Sequence, residues 1–516
     1  MNQKQVWRLN DPGLSALHRA GLAGLWMTID GLTEEARKDR LEWPAWIEYP
    51  PKLQPNSVEI IWDGTPRRLL EWLLPNAFRI DESTGMIDLV GMGLSTLEAR
   101  SAIHQAILGT FLQHGRTRGA IKGDFTHTFM VGEQPLMLNY AKLEWYSHQT
   151  CSEDFLNGDD WAEVVPLVGW LAPGGVIRHN AFKDTALEEP AQRALLLLFA
   201  TIGCFYFNLR STIKSKKARF ALLIPAITNL EDYAYLHREM HKQSGINELT
   251  ACGTSDAALR LALHIKGQRR TREISCERCQ VITLGTVPWS TQQKTRTAAV
   301  SVDLRPHELV RDYSVINAAF PNKVALGKAK KGEPERAFIV TSAAREHFGD
   351  NLAQHRRWYA DFTQLMSNTD TRKVVRFEWE GLNMVVNQIE LERGEKVIVE
   401  ACHEALRRRY GQIKDRARTE RAQIGTLFER EYERRRVGLA RCKNASALRQ
   451  ELTDFWSRAG QLKSLQEGWD AVRVMFDKQH WARARDLALL ALASYKRSEL
   501  SSDSQGQEGA ADNNGG

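Results

Sequence analysis

The sequence predicts an α+β fold, a large mixed N-terminal region followed by a C-terminal α-helical bundle. Three observations predict it. Strand-like segments, short and rich in β-branched or aromatic residues between Gly, Pro or charge, are confined to the first 390 or so residues. They arrive in irregular clusters with helical stretches between them, which argues against a doubly wound parallel sheet. From about residue 396 proline disappears, glycine becomes sparse, and Ala, Leu, Arg, Glu and Lys recur with helical periodicity. The expected organisation is a body over 1–395, a basic helical bundle over 396–498, and a small, polar, disordered tail over 499–516.

The elements follow in order. In "DPGLSALHRAGLAGLWMTI" (11–29), Asp11 followed by Pro12 is a helix start signal. Ala20, Gly21, Ala23 and Gly24 then leave one helix face nearly without side chains. Each glycine costs about 1 kcal/mol relative to alanine, so another backbone is expected to approach there, the chain's own sheet being the favoured candidate. "VEIIW" (58–62) and "MIDLVGMG" (86–93) read as strands, and 93–115 as a helix with Leu97, Ile103, Ile107 and Leu112 at helical spacing. The apolar run 194–207 is too short to span a bilayer and reads as a buried core helix. Segments 279–289, 295–304, 336–342 and 373–381 read as strands.

Composition narrows the function classes. At 516 residues the chain can hold two to four domains, and 43% hydrophobic with 26% charged residues excludes wholesale disorder and collagen-like chains. The net charge of +7 is unevenly spread: residues 401–500 hold 22 Lys and Arg against 13 Asp and Glu, leaving the other 416 slightly acidic. Seven cysteines, an odd number without a disulfide pattern, point to a reducing cytoplasm. The N-terminal residues show no secretory leader pattern, and no membrane role is expected. No repeat with a period of 20 to 50 residues is evident.

The catalytic and metal signals are weak. "CERC" (Cys276, Cys279) has metal-knuckle spacing, but zinc needs four ligands and no second such pair exists. Cys252 or His264 could complete a site through space, while two reduced cysteines at a strand edge is the preferred reading. "HREMH" (237–241) resembles half of a zinc-protease motif, yet Arg238 stands where the general-base glutamate belongs. Phosphate-loop, nucleophile-elbow and EF-hand patterns are absent. The carboxylate pairs Asp159/Asp160 and Glu188/Glu189 are adjacent, so their members point to different faces of regular structure. No enzyme is expected.

Basic surface remains as the candidate chemistry. "WSTQQKTR" (289–296, with Lys294 and Arg296) and "KVALGKAKKGEPER" (323–336, with Lys323, Lys328, Lys330 and Lys331) mix cations with Thr, Gln and Gly, types that bond phosphate oxygens or base edges. "QHRRWYADF" (354–362) adds Arg356 and Arg357 beside aromatics. In the helical segment, Arg407, Arg408 and Arg409 and then Arg434, Arg435 and Arg436 offer bidentate phosphate contacts. The alternatives are solvated loops for the first three stretches and i,i+4 pairing with Glu404, Glu420, Glu429 or Glu433 for the arginines.

The leading D-P-G, the "LHRAGLAGL" core and an α+β region ending in a basic bundle together resemble the large subunit of type I CRISPR (Cascade) effector complexes, in the myxan-subtype branch that also occurs in I-B-like systems and some CRISPR-associated transposons. The likeness is sharpest over residues 9–30. It implies a non-catalytic subunit without cofactor that reads the protospacer-adjacent motif (PAM), promotes R-loop formation and supports the displaced strand. The implied partners are the CRISPR guide RNA, target duplex and displaced strand, other Cascade subunits, and a helicase-nuclease or transposition proteins. A separately translated small subunit is also implied, and an internal start at Met384 would give a 133-residue product. A scaffold unrelated to nucleic acid and a metal-dependent nuclease are the competing readings.

Overall fold

The computed structural model describes residues 2–131, 134–173, 187–212, 219–268, 277–286, 295–326, 337–420 and 424–495. By spatial proximity the chain forms two compact units, one of residues 1–310 with 322–341 and the other of 311–321 with 342–516.

The first unit is mixed α and β, as its sequence pattern predicts. Strand β1 (Asn2–Arg8) leads into helix α1 (Ala16–Arg37), which starts later than the Asp-Pro signal suggested. Ser15 is its N-cap, accepting from the His18 backbone N–H at 3.3 Å, whereas the Asp11 carboxylate accepts from the Arg8 N–H at 2.8 Å and closes the preceding turn. Strands β2 (Lys52–Gln54) and β3 (Ser57–Asp63) complete a three-stranded antiparallel sheet in the order β1-β3-β2. Helix α2 (Pro66–Ala77), strands β4 (Phe78–Asp81) and β5 (Met86–Leu89), and helix α3 (Leu97–Gly109) follow. On α3, Ile103 and Ile107 are buried, but Leu97 sits exposed in the first turn. Strands β6 (Arg118–Ala120), β7 (Phe125–Val131), β8 (Gln134–Tyr140) and β9 (Leu143–Tyr146) form two antiparallel pairs, β6-β9 and β7-β8.

The apolar run expected as one helix is a helix and a strand. Helix α4 (Ala191–Gly203) ends at Gly203, and β10 (Phe205–Leu209) continues directly. Helix α4 is the close partner that the glycine face of α1 implied, so the face packs on this chain's own structure but on a helix instead of a sheet. A Cβ on Gly21 would lie 1.7 Å from the Leu196 carbonyl oxygen, one on Gly24 2.1 Å from that of Phe199, and one on Gly203 1.8 Å from that of Ala20. The two backbones therefore touch, and α1 is buried from Ala20 through Ile29 on every side.

Strand β11 (Phe220–Pro225), helix α5 (Leu230–Gln243), strand β12 (Thr250–Ala251) and helix α6 (Thr254–Gln268) precede a long ribbon, β13 (Arg278–Thr286) with β14 (Thr295–Asp303). These strands form a five-stranded sheet in the order β12-β10-β11-β13-β14, antiparallel except for the β10–β12 pair. Helix α7 (His307–Ala319) and the hairpin β15 (Lys323–Leu326) with β16 (Ala337–Val340) follow.

From Ala343 to Ser494 the described residues hold helices and no strand: α8 (Ala343–Ala353), α9 (Phe362–Ser367), α10 (Thr369–Phe377), α11 (Trp379–Gln388), α12 (Arg393–Glu420), α13 (Ile424–Arg441), α14 (Ala445–Ala459), α15 (Lys463–Val474) and α16 (Trp481–Ser494). Helices thus begin some 50 residues before the composition shifts. The segment 373–381, expected as a strand, forms the end of α10 and the start of α11. Asn368 caps α10 by accepting from the N–H groups of Asp370 and Thr371, and Thr371 and Val375, four residues apart, supply its buried face. Among the described residues no helix is long and apolar enough to cross a membrane.

Candidate nucleic-acid interface

Two of the basic stretches connect the strands of antiparallel ribbons. Strands β13 and β14 pair from Arg278 with Asp303 to Thr286 with Thr295, and residues 287–294 join them. Strands β15 and β16 pair from Lys323 with Val340 to Leu326 with Ala337, joined by 327–336. Lys294, Lys328, Lys330 and Lys331 lie outside the described residues. Arg296 is placed by its backbone alone, opposite Gly285, and Lys323 is exposed at the start of β15.

The stretch 354–362 belongs to the helical unit and is less available than its sequence suggests. Arg356 pairs with Asp361 at 2.7 Å, and Arg357 with Glu392, which Arg483 also reaches at 2.6 Å. Trp358 and Tyr359 are buried in the core, so neither offers a stacking face. The Tyr359 hydroxyl donates to Glu395, a buried carboxylate that also receives Arg483 Nε at 2.8 Å.

Helices α12 and α13 divide their arginines by phase. Arg407 is exposed, with no ion pair among the described residues. Arg408 pairs with Glu404 at 2.7 Å, and that carboxylate also accepts from the N–H groups of Lys463 and Ser464 at the start of α15. Arg409 lies 3.4 Å from Glu431. Arg434 is half exposed, 3.8 Å from Asp454.

Arg435 and Arg436 do not fit the expected role. Arg435 is 1% exposed, 3.1 Å from Glu431, 2.8 Å from Asp454 and 3.5 Å from Glu451, with its guanidinium 5.0 Å from the Phe455 ring centroid. Its hydrogen bond, with that of Arg458, holds the Asp454 carboxyl at about 2. Arg436 is buried, pairing with Glu433 at 2.7 Å and donating to the Met366 carbonyl at 3.1 Å. Both are internal struts, and reaching a phosphate would strip each of its carboxylates.

The cations that do face solvent on α13 are Arg430, Arg434 and Arg441. At 100° per residue, Arg434 and Arg441 stand about 40° and 20° round the helix from Arg430, a stripe roughly 16 Å long at 1.5 Å rise per residue. Arg430 and Arg441 make no ion pair among the described residues. The sequence flags the whole stretch 430–443 as arginine-rich but singles out the consecutive triplet, although a helical wheel separates Arg430 and Arg441 from Arg435 and Arg436. On α12, Lys414 and Arg416 join Arg407 as exposed cations.

Where they are described, most of the metal and acid candidates are buried or paired. Cys279 is buried on β13 opposite Val302, and Cys252 is buried beside β12, while Cys276 lies outside the described residues. Burial lowers the pKa of His264, partly opposed by Glu239. Among the described residues no group of three or more His, Cys, Asp or Glu side chains could hold a metal ion. His237 and His241 are core rings 4.4 Å apart, the first donating to the Cys204 carbonyl and the second to that of His237. Asp159 pairs with Arg67 at 2.9 Å, and Glu189 with Arg193.

Comparison with known proteins gives these features a family. Residues 6–198 match the DevT N-terminal domain and residues 386–515 the DevT C-terminal domain. Over 513 residues the chain is 30% identical to the CRISPR-associated protein Cas8a1/Csx13 of Myxococcus xanthus (strain DK1622), covering 95% of this chain and 88% of that protein. The alignment runs through both units, and the chain accordingly belongs to the Cas8a1/Csx13 family of CRISPR-associated proteins.

Proposed function

We propose that this chain is the large, non-catalytic subunit of a type I CRISPR RNA-guided DNA-binding complex of the myxan-subtype branch, acting without a cofactor. In this role it recognises the PAM, promotes R-loop formation and supports the displaced strand. Membership of a CRISPR-associated family along nearly the whole chain carries the reading. The physical division of labour is that base pairing with a guide reads sequence while the protein reads a short motif and the backbone.

Two features supply the chemistry. A two-stranded β-ribbon can enter a major groove, and for that contact Lys294 stands in the β13–β14 connection, Arg296 on β14 next to it, and Lys328, Lys330 and Lys331 in the β15–β16 connection. The Arg430, Arg434 and Arg441 stripe, with Arg407, suits a single strand gripped by its phosphates. The partners of this reading are the guide RNA, target duplex, other Cascade subunits, and a helicase-nuclease or transposition proteins recruited afterwards in the cytoplasm.

The test is reconstitution with guide RNA and the other subunits on duplexes carrying a library of flanking motifs. Alanine at Lys294, Arg296, Lys328, Lys330 and Lys331 is expected to flatten motif preference. Alanine at Arg430, Arg434 and Arg441 is expected to weaken binding equally for all motifs and to lower the salt slope. Binding that both sets leave unchanged overturns the reading, as does DNA cleavage by the purified chain that a chelator abolishes.

A further inference from the structure

We propose that an acidic, aromatic-walled groove beyond the C-terminus of α1 captures an arginine side chain from a basic segment of a partner protein. The groove has a volume of about 600 Å³ and is open to solvent. Its wall is the segment 41–49, fixed against β3 through its backbone: Ile47 bridges Trp62, Glu48 N–H donates to Ile61 at 2.9 Å, and Asp63 N–H to Trp46 at 2.7 Å. A preorganised wall of this kind need not be ordered by its ligand.

Rings and carboxylates face the same space. Trp43 and Tyr49 line it with centroids 5.3 Å apart at 63°, and Trp72 stands 5.2 Å behind Trp43. Asp39, Glu42 and Glu48 line it too, and no lysine or arginine does. Asp39 and Glu42 are exposed and make no ion pair among the described residues, while Glu48 lies 3.7 Å from Lys52. Ala36, in the last turn of the 22-residue α1, also lines the groove, so the negative end of the helix dipole adds to the field.

This combination selects the ligand's chemistry. Three carboxylates and no Lys or Arg line the groove, so it disfavours phosphate and favours a cationic occupant. Ring faces favour a flat, weakly hydrated cation, which describes guanidinium better than ammonium. The same aromatic cluster already holds one: Trp46, 6.4 Å from Trp72, carries the Arg68 guanidinium 4.3 Å from its ring centroid. The open end is built to take a second from outside.

Binding of the full-length chain to an immobilised Gly-Arg-Gly-Arg-Gly peptide, followed by interferometry, tests this, with Gly-Lys-Gly-Lys-Gly and a dT oligonucleotide as comparators. The arginine peptide is expected to bind best. Its affinity should fall about fivefold or more in Asp39→Asn/Glu42→Gln and in Tyr49→Ala, with melting temperatures unchanged. Equal binding of the arginine peptide by wild type and these variants overturns the proposal. So does a loss of dT binding in the variants, which would make the surface a nucleic-acid contact. The readout involves neither guide RNA nor target duplex, so it stands or falls apart from the proposed function.

Discussion

Gly21 faces the carbonyl oxygen of Leu196 so closely that a methyl group there would sit 1.7 Å from it. The obstacle is backbone, which cannot swing aside as a side chain can. Gly21→Ala is therefore expected to force α1 and α4 apart and to cost about 3 kcal/mol or more, seen as a lower melting temperature and reduced soluble yield. Gly411 on α12 has no neighbour within 4 Å of an added Cβ. Gly411→Ala should stabilise by up to about 1 kcal/mol through helix propensity alone, and the two variants together separate crowding from propensity.

Arg435 is surrounded by Glu431, Glu451 and Asp454 with its side chain inside the helical unit. Removing it leaves Glu431, itself buried, without its nearest cation. Arg435→Ala is expected to destabilise the chain by about 3–5 kcal/mol, read by chemical denaturation. Any loss of nucleic-acid binding in that variant should track its unfolded fraction.

Arg430, Arg434 and Arg441 are expected to behave in the opposite way. Their triple alanine variant should melt within a degree or so of wild type, because exposed charges contribute little to stability. Its affinity for single-stranded oligonucleotides should fall, with a dependence on salt that is shallower by about 0.7 for each phosphate the variant no longer neutralises. Anisotropy titrations at several salt concentrations measure both quantities.

This contrast shows what the sequence could and could not say. Arginine richness after residue 400 is a compositional fact, legible at once. Which arginines are struts depends on helix phase and on Glu431, Glu451 and Asp454 arriving from other turns and helices. The α1 glycines announced a close approach, but their partner lies some 170 residues further on, beyond any local pattern. In 373–381, Val374, Val375, Phe377 and Trp379 have strand-forming side chains, yet the Asn368 cap and the Thr371–Val375 spacing prevailed, leaving Phe377 exposed. The groove at Trp43 is lined by residues 36–49 alone, but its shape is not legible there, because the segment is held by β3 and by Trp72 packed on Trp43, both further along the chain.

His104 is buried in the first unit with both ring nitrogens engaged. Ile87 N–H donates to Nδ1 at 3.1 Å, and Nε2–H donates to the Ala141 carbonyl at 2.8 Å, which fixes the neutral tautomer. Burial, helped by the nearby Arg118 charge, lowers its pKa from 6.5 to about 4. The unfolded chain therefore binds a proton between those values that the folded chain refuses. The stability this histidine confers is complete above pH 6.5 and is lost as pH falls toward 4, amounting to about 2 kcal/mol by pH 5. Urea denaturation at pH 7 and pH 5 should show that loss, and His104→Gln, which cannot titrate, should reduce it.

Met384 sits within α11, and its position bears on whether a separate C-terminal product is made. Initiation there would keep α12 to α16 but omit α8, α9, α10 and the first turn of α11. The omitted part contains Tyr359, which donates to Glu395, and Asp361 and Thr363, whose N–H groups donate to the buried Asp486 carboxylate at 2.8 and 3.3 Å. Such a product would leave Asp486 without its Asp361 and Thr363 donors, with Arg485 at 3.3 Å as its remaining partner, while burial already raises that residue's pKa. The 133-residue fragment is thus expected to melt well below the intact chain and to gain stability when mixed with its neighbours in the complex. Intact-mass measurement of material expressed from the wild-type gene should show the fragment beside the full chain, and Met384→Leu, which preserves the helix, should abolish it. Full-length chain alone in the wild-type sample would mean that all of α8 to α16 works as one covalent unit.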